Sequence, residues 1–282
     1  MNLGVPKFTN NKDLFAYLKA NKENIFEIKK QAKKFTDNAY NFYDDLNRLT
    51  NKSVEQKEIE KDYINKAIVG NTYYWLDSHS DVHVKGCFTK SINERRSKVM
   101  HLHDHELKIT SQVGVIEQLE EIDVNWRSLG VNEDGKTIAL VAQSKVKKDY
   151  NPMVFGMYKE NLIQQHSVGM FYVKVELAVN SDDKEYIEEK ELWNEIYPML
   201  GNKEEADKKG YFFVIKEAKL LEISAVPYGS NSITPAYDNL TDLVENEPTK
   251  SLEDKTEPPL GTQNEKVQEN TLVKDFVENF KL

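Results

Sequence analysis

The chain has one cysteine, Cys87, among 282 residues, so no disulfide can form within it. No stretch is apolar for long enough to act as a signal peptide or to cross a bilayer, which predicts a soluble, intracellular protein with no membrane partner. Its 12 glycines are scattered, without a phosphate-binding loop or dinucleotide fingerprint, so no cofactor is expected. Positive charge is also short: 38 Lys and Arg face 47 Asp and Glu, and a net charge of −9 argues against a nucleic-acid partner, which needs a concentrated basic surface.

The chain does have enough apolar residues for a sizeable core, 39% of the total, although 30% charged residues and a mean hydropathy of −0.66 leave room for unpacked appendages. Residues 1–70 read as a helical extension. Leu14, Tyr17 and Leu18, then Ile25, Ile28, Ala32 and Phe35, recur at helical spacing, and Ser53 with Gln56 resembles a capping box for a helix running towards Ile68. Lys29, Lys30, Lys33 and Lys34 would lie on the solvated face of the second helix, which carries Ile25 to Phe35.

Residues 71–240 are strand-rich, with strand character at Thr72–Leu76, Val82–Val84, Val99–Leu102, Ile109–Leu119, Thr137–Val146, Val168–Leu177 and Tyr211–Val226. Helical patterns interrupt them at Phe155–Gln165 and Lys184–Leu200. Phe171, Val173, Val175 and Leu177 alternate with Tyr172, Lys174 and Glu176, which predicts one buried and one polar face. Strands and helices do not alternate regularly. The expected class is therefore α+β, a mostly antiparallel sheet or small β-barrel with surrounding helices. Residues 241–271 read as a flexible linker, since Asn246–Asn270 has no aromatic residue, many charges and Pro258-Pro259. Residues 272–282 read as a short helix with an apolar stripe of Leu272, Phe276 and Phe280, which would need a surface to fold against.

Three groups of residues carry chemistry. They are the histidines of Met100-His101-Leu102-His103-Asp104-His105, the serine of His166-Ser167-Val168-Gly169, and the carboxylate of Leu221-Glu222-Ile223-Ser224. A hydroxyl nucleophile needs a base to take its proton and a third group to hold that base, and the three can come from distant segments. In a strand Glu222 and Ser224 share a face, and an acid on an otherwise apolar strand asks for a partner, which a histidine can supply. Cys87, Trp75, Trp126 and Trp193 read as core residues.

The run Asp77-Ser78-His79-Ser80-Asp81-Val82-His83 leading to Gly86 and Ser91-Ile92, His103-Asp104 followed by Gly114, the Ser167-Val168-Gly169 turn into a strand, and Leu221-Glu222-Ile223-Ser224-Ala225-Val226-Pro227 resemble, in that order, the prohead proteases of tailed phages. Those enzymes are similar in fold to herpesvirus assembly proteases. The resemblance spans about Tyr73 to Pro235. It implies a serine endopeptidase of head maturation with His103 as base, Ser167 as nucleophile and Glu222 orienting His103, with His166 as the rival for the third place. It also implies the major capsid protein and scaffold protein as substrates, self-cleavage, and action inside the assembling prohead in the host cytoplasm; a homo-oligomer is compatible with it. The N-terminal helices or the C-terminal helix would then recruit the enzyme to the shell. Two other readings stand beside this one. His101, His103 and His105 would form a metal-binding row if their strand continued, similar to a shortened His-x-His-x-Asp-His signature of metal-dependent hydrolases. Alternatively, the chain is a non-enzymatic capsid-assembly or scaffolding protein with a protease-like fold.

Overall fold

A computed structural model describes residues 5–31 and 62–244. The expected C-terminal helix at 272–282, most of the linker and the capping box at Ser53 lie outside the described residues. Helices α1 (Asn11–Ala20) and α2 (Lys22–Gln31) open the chain, and α1 starts where the Asn10 side chain accepts a hydrogen bond from the Asp13 N–H at 2.9 Å. Phe15, Leu18, Ile25 and Phe26 bury their apolar stripe in the main core. Lys29 does not lie on a solvated face, as expected from its spacing, but is fully buried. Its ammonium is bonded to Asp81 and sits 4.1 Å from the Phe213 ring centroid.

The strands are β1 (Tyr63–Thr72), β2 (Asp81–His83), β3 (Met100–His103), β4 (Gln112–Asn125), β5 (Lys136–Lys147), β6 (His166–Val179), β7 (Tyr211–Ala225) and β8 (Ala236–Tyr237). The helices among them are α3 (Thr89–Arg95), α4 (Pro152–Lys159), α5 (Ile187–Ile196), α6 (Lys203–Lys209) and α7 (Leu240–Val244). The class is α+β, as expected. The eight-stranded sheet is mixed and open, not a closed barrel: β2 and β3 run parallel to β7, and the remaining pairs are antiparallel. Two segments differ from the sequence reading at the ends of the strand-rich region. Residues 63–72 are a sheet strand rather than the end of a helix, because β1 pairs along its length with β5 and supplies Ile68 and Val69 to the core. Residues 241–244, expected as the start of the linker, are the continuation of a helix that begins at Leu240, held by the fully buried Leu243.

β7 organises the site. β6 occupies one of its edges from Tyr211 to Ala225, so β2 and β3 share the other, β2 beside Phe213–Ile215 and β3 beside Glu222–Ala225. The alternation expected in β6 breaks in its middle: Tyr172 is buried and Val173 is 46% exposed. The register with β7 shifts between Tyr172 and Lys174, and such a bulge turns the following side chains to the other face.

Candidate active site

Direct cross-strand partners project to the same face of a sheet. Ser167 is paired with Ser224 and Gly169 with Glu222, so the front face of the β6 and β7 pair carries Ser167, Ser224 and Glu222. The opposite face carries His166 beside Ala225 on β6, and His101 and His103 beside Ile223 and Ala225 on β3.

His105 reaches the front face through a reversal of the chain. Asp104 and His105 both adopt left-handed backbone conformations, with φ of 51° and 56°, immediately after β3 ends. The Asp104 N–H donates to the Ala225 carbonyl at 2.9 Å, and the His105 N–H donates to Ser224 Oγ at 3.2 Å. The ring is thereby brought over β7, where Nδ1 lies 2.6 Å from Glu222 Oε1. The second carboxylate oxygen, Oε2, accepts the Ser224 hydroxyl at 2.7 Å. Glu222 is 0% exposed and both its oxygens are bonded, which is what burial of a carboxylate requires. Ser167 and Glu222 thus share the face on which the His105 ring meets the carboxylate, with Ser167 7% exposed beside Ser224.

The glycine of the Ser167-Val168-Gly169 run has a steric reason. A Cβ at Gly169 would overlap Oε1 of Glu222 and come within 2.6 Å of its carboxyl carbon, so the acid can lie flat across β6 only over a bare backbone. Gly114 does the same for the back face: a Cβ there would come within 2.7 Å of the Lys145 carbonyl and 3.0 Å of His101 Nδ1.

Two sequence expectations change. The Glu222 carboxylate bonds His105 and not His103, whose Nδ1 instead faces its neighbour Asp104 at 3.1 Å, half-buried on the opposite side of the strand. His101, His103 and His105 form no row, because the left-handed turn ends the strand before the third histidine. The rival His166 is fully buried on the back face. Its Nδ1 lies 3.0 Å from the Thr234 carbonyl and its Nε2 lies 2.7 Å from the Tyr158 hydroxyl, so it makes no part of the Glu222 cluster. Burial pulls the His101 and His166 imidazoles down to about 3 and about 4.

Among the described residues, one group has metal-ligand spacing: Asp77, His79 and Asp81, with ligand atoms within 4.8 Å of one another. Asp81 already meets the Lys29 ammonium on one oxygen and the Tyr172 hydroxyl, at 2.7 Å, on the other. The cluster therefore reads as charge-compensated packing beneath α2. Cys87 is fully buried and its thiol is pushed well up by desolvation, which suits a small core residue. No described helix is long and apolar enough to cross a membrane. Comparison of the chain with protein families, with curated proteins and with solved structures finds no match.

Proposed function

We propose that the chain is a serine endopeptidase in which Ser167 is the nucleophile, His105 the base and Glu222 the residue that holds the base. The observation that carries this reading is the Glu222 carboxylate, buried between His105 Nδ1 and Ser224 Oγ on the face from which Ser167 projects. With Nδ1 bound to the acid, Nε2 is the nitrogen that exchanges protons with the substrate-side chemistry. Ser167 Oγ attacks the peptide carbonyl and its proton passes to His105. The C–N bond then breaks as that proton is delivered to the leaving amine, and water repeats the sequence to release the acyl group. Glu222 opposes the positive charge that develops on His105 during each transfer.

The substrate assignment rests on the resemblance of residues 73–235 to prohead proteases. It makes the major capsid protein and the scaffold protein the substrates, with self-cleavage, inside an assembling phage head in the host cytoplasm. The test is to co-express the full chain, or its Ser167→Ala variant, with the neighbouring capsid and scaffold proteins and follow every product by mass. Cleavage by the wild type alone supports the reading. Equal cleavage by both removes Ser167 as nucleophile, and intact proteins in both favour a non-enzymatic assembly role.

A further inference from the structure

The back face holds a buried polar chain that the proposed chemistry does not use. His166 Nδ1 lies 3.0 Å from the Thr234 carbonyl, which can only accept, so Nδ1 carries the proton. At neutral pH the buried ring is uncharged, and its Nε2 must therefore accept from the Tyr158 hydroxyl at 2.7 Å. The Tyr158 oxygen, its own proton spent, accepts from His101 Nε2–H at 3.0 Å. His101 Nδ1 is left to accept the Ser144 hydroxyl at 2.8 Å, the shorter of that hydroxyl's two contacts, the other being the Val115 carbonyl at 3.3 Å. One carbonyl thus fixes the direction of four hydrogen bonds and the tautomers of two histidines. Tyr158 also stacks on His166, with centroids 5.9 Å apart, and meets His101 edge-on at 5.7 Å.

The ends of this chain are significant for the front face. His166 immediately precedes Ser167, and Thr234 Oγ1 both accepts the His166 N–H at 3.0 Å and donates to the His166 carbonyl at 2.6 Å. His101 lies on β3, whose end carries the turn that swings His105 over Glu222. β3 and β6 do not touch through backbone pairing; β7 lies between them. The Tyr158 hydroxyl is the atom that ties the two outer strands together behind β7.

We infer that Tyr158 is a positioning residue: by bridging His101 and His166 on the back of the sheet, it sets the spacing between the strand that carries Ser167 and the strand that delivers His105. The inference rests on the serine-hydrolase reading for its kinetic consequence, but its geometric content can be read without activity. Small displacements between a nucleophile and its base are costly, up to about 100-fold for about 1 Å, and a link that acts through the sheet should cost less.

The test uses the full chain and Tyr158→Phe, which keeps the ring, at a temperature where circular dichroism shows both folded. Labelling of Ser167 by a fluorophosphonate probe is followed together with the ring-nitrogen NMR signals of nitrogen-15 histidine. The expected result is a labelling rate about tenfold lower, at unchanged probe affinity, with a shifted or broadened His105 signal. A Tyr158→Phe protein with wild-type labelling and an unmoved His105 signal overturns the inference, since the hydroxyl would then serve the back face alone. If the wild type takes no label, the hydrolase reading fails, and the His105 signal alone decides whether the back-face bridge reaches the front. If Tyr158→Phe does not fold, Thr234→Val, which removes the clamp on the His166 backbone, is measured in the same two ways and must give the same pair of changes.

Discussion

The two faces of the β3, β7 and β6 strands hold histidines under opposite rules. On the front, His105 is paired with a carboxylate, in a turn, and its N–H donates to the Ser224 hydroxyl. On the back, His101 and His166 touch no carboxylate among the described residues, and are kept uncharged by burial within a chain of neutral donors and acceptors. A histidine that must gain and lose a proton needs an acid beside it to favour the charged form, whereas one that fixes strand geometry works best with a single tautomer and no charge. Residues next to each other in sequence, such as His166 and Ser167, are separated into these roles by the strand's twofold alternation.

The largest effect that would sharpen this contrast is expected at the front. Glu222→Gln should lower the Ser167 labelling rate about 1,000-fold or more, since the base then loses both its fixed tautomer and its counter-charge, while the fold survives because an amide can still meet Ser224. A loss under tenfold would break the claim that the front histidine depends on its acid.

The next effect belongs to the back. The His101 and His166 imidazoles are pulled below their ordinary value, so from about pH 6.5 down to about pH 4 for His166 and about pH 3 for His101 the unfolded chain binds protons that the folded chain refuses. Stability from this source is intact above pH 6.5 and falls as the pH drops through that window. By pH 5 the loss should be on the order of 4 kcal/mol for the two together. Thermal midpoints measured against pH test this, and His166→Asn, which keeps a donor for the Thr234 carbonyl but does not titrate, should flatten the slope. An unchanged slope would contradict the neutral back face.

The glycines give a matched pair. Gly169→Ala and Gly114→Ala should each cost about 1–3 kcal/mol in denaturant titrations, because both intrude on fixed atoms. Gly169→Ala displaces the acid itself and should also lower labelling about 100-fold, whereas Gly114→Ala, working from behind the sheet, should lower it about tenfold or less. The smallest effect is at the far end of the back-face chain: Ser144→Ala removes one hydrogen bond to His101 and should cost about 1 kcal/mol, with labelling within about threefold of wild type.

What the sequence showed of this site followed from short-range rules. That Glu222 and Ser224 share a face was readable because twofold alternation in a strand needs only neighbouring residues, whereas Ser167 was singled out only by the family resemblance. The α+β class was readable from strand patterns without regular helices between them. The partner of Glu222 was not, because His105 reaches the front through two successive left-handed residues, and neither Asp104 nor His105 announces such a turn as a glycine would. Tyr158, Ser144 and Thr234 stayed hidden for a different reason: their bonds to His101 and His166 depend on which strands lie side by side, and no local spacing encodes that. Lys29 misled in the same way, since a lysine among lysines on a helix reads as solvated until its tertiary partner Asp81 is known. Val173 and Tyr172 exchanged places because a bulge is invisible to a strict alternation.

The central claim is that the proton-carrying histidine is His105, and it is tested most directly by comparing His105→Ala with His103→Ala for fluorophosphonate labelling of Ser167 in otherwise identical full-length chains. The account predicts a loss of about 1,000-fold or more for His105→Ala and a rate within about threefold of wild type for His103→Ala. The reverse pattern, with His103 essential and His105 dispensable, would contradict it.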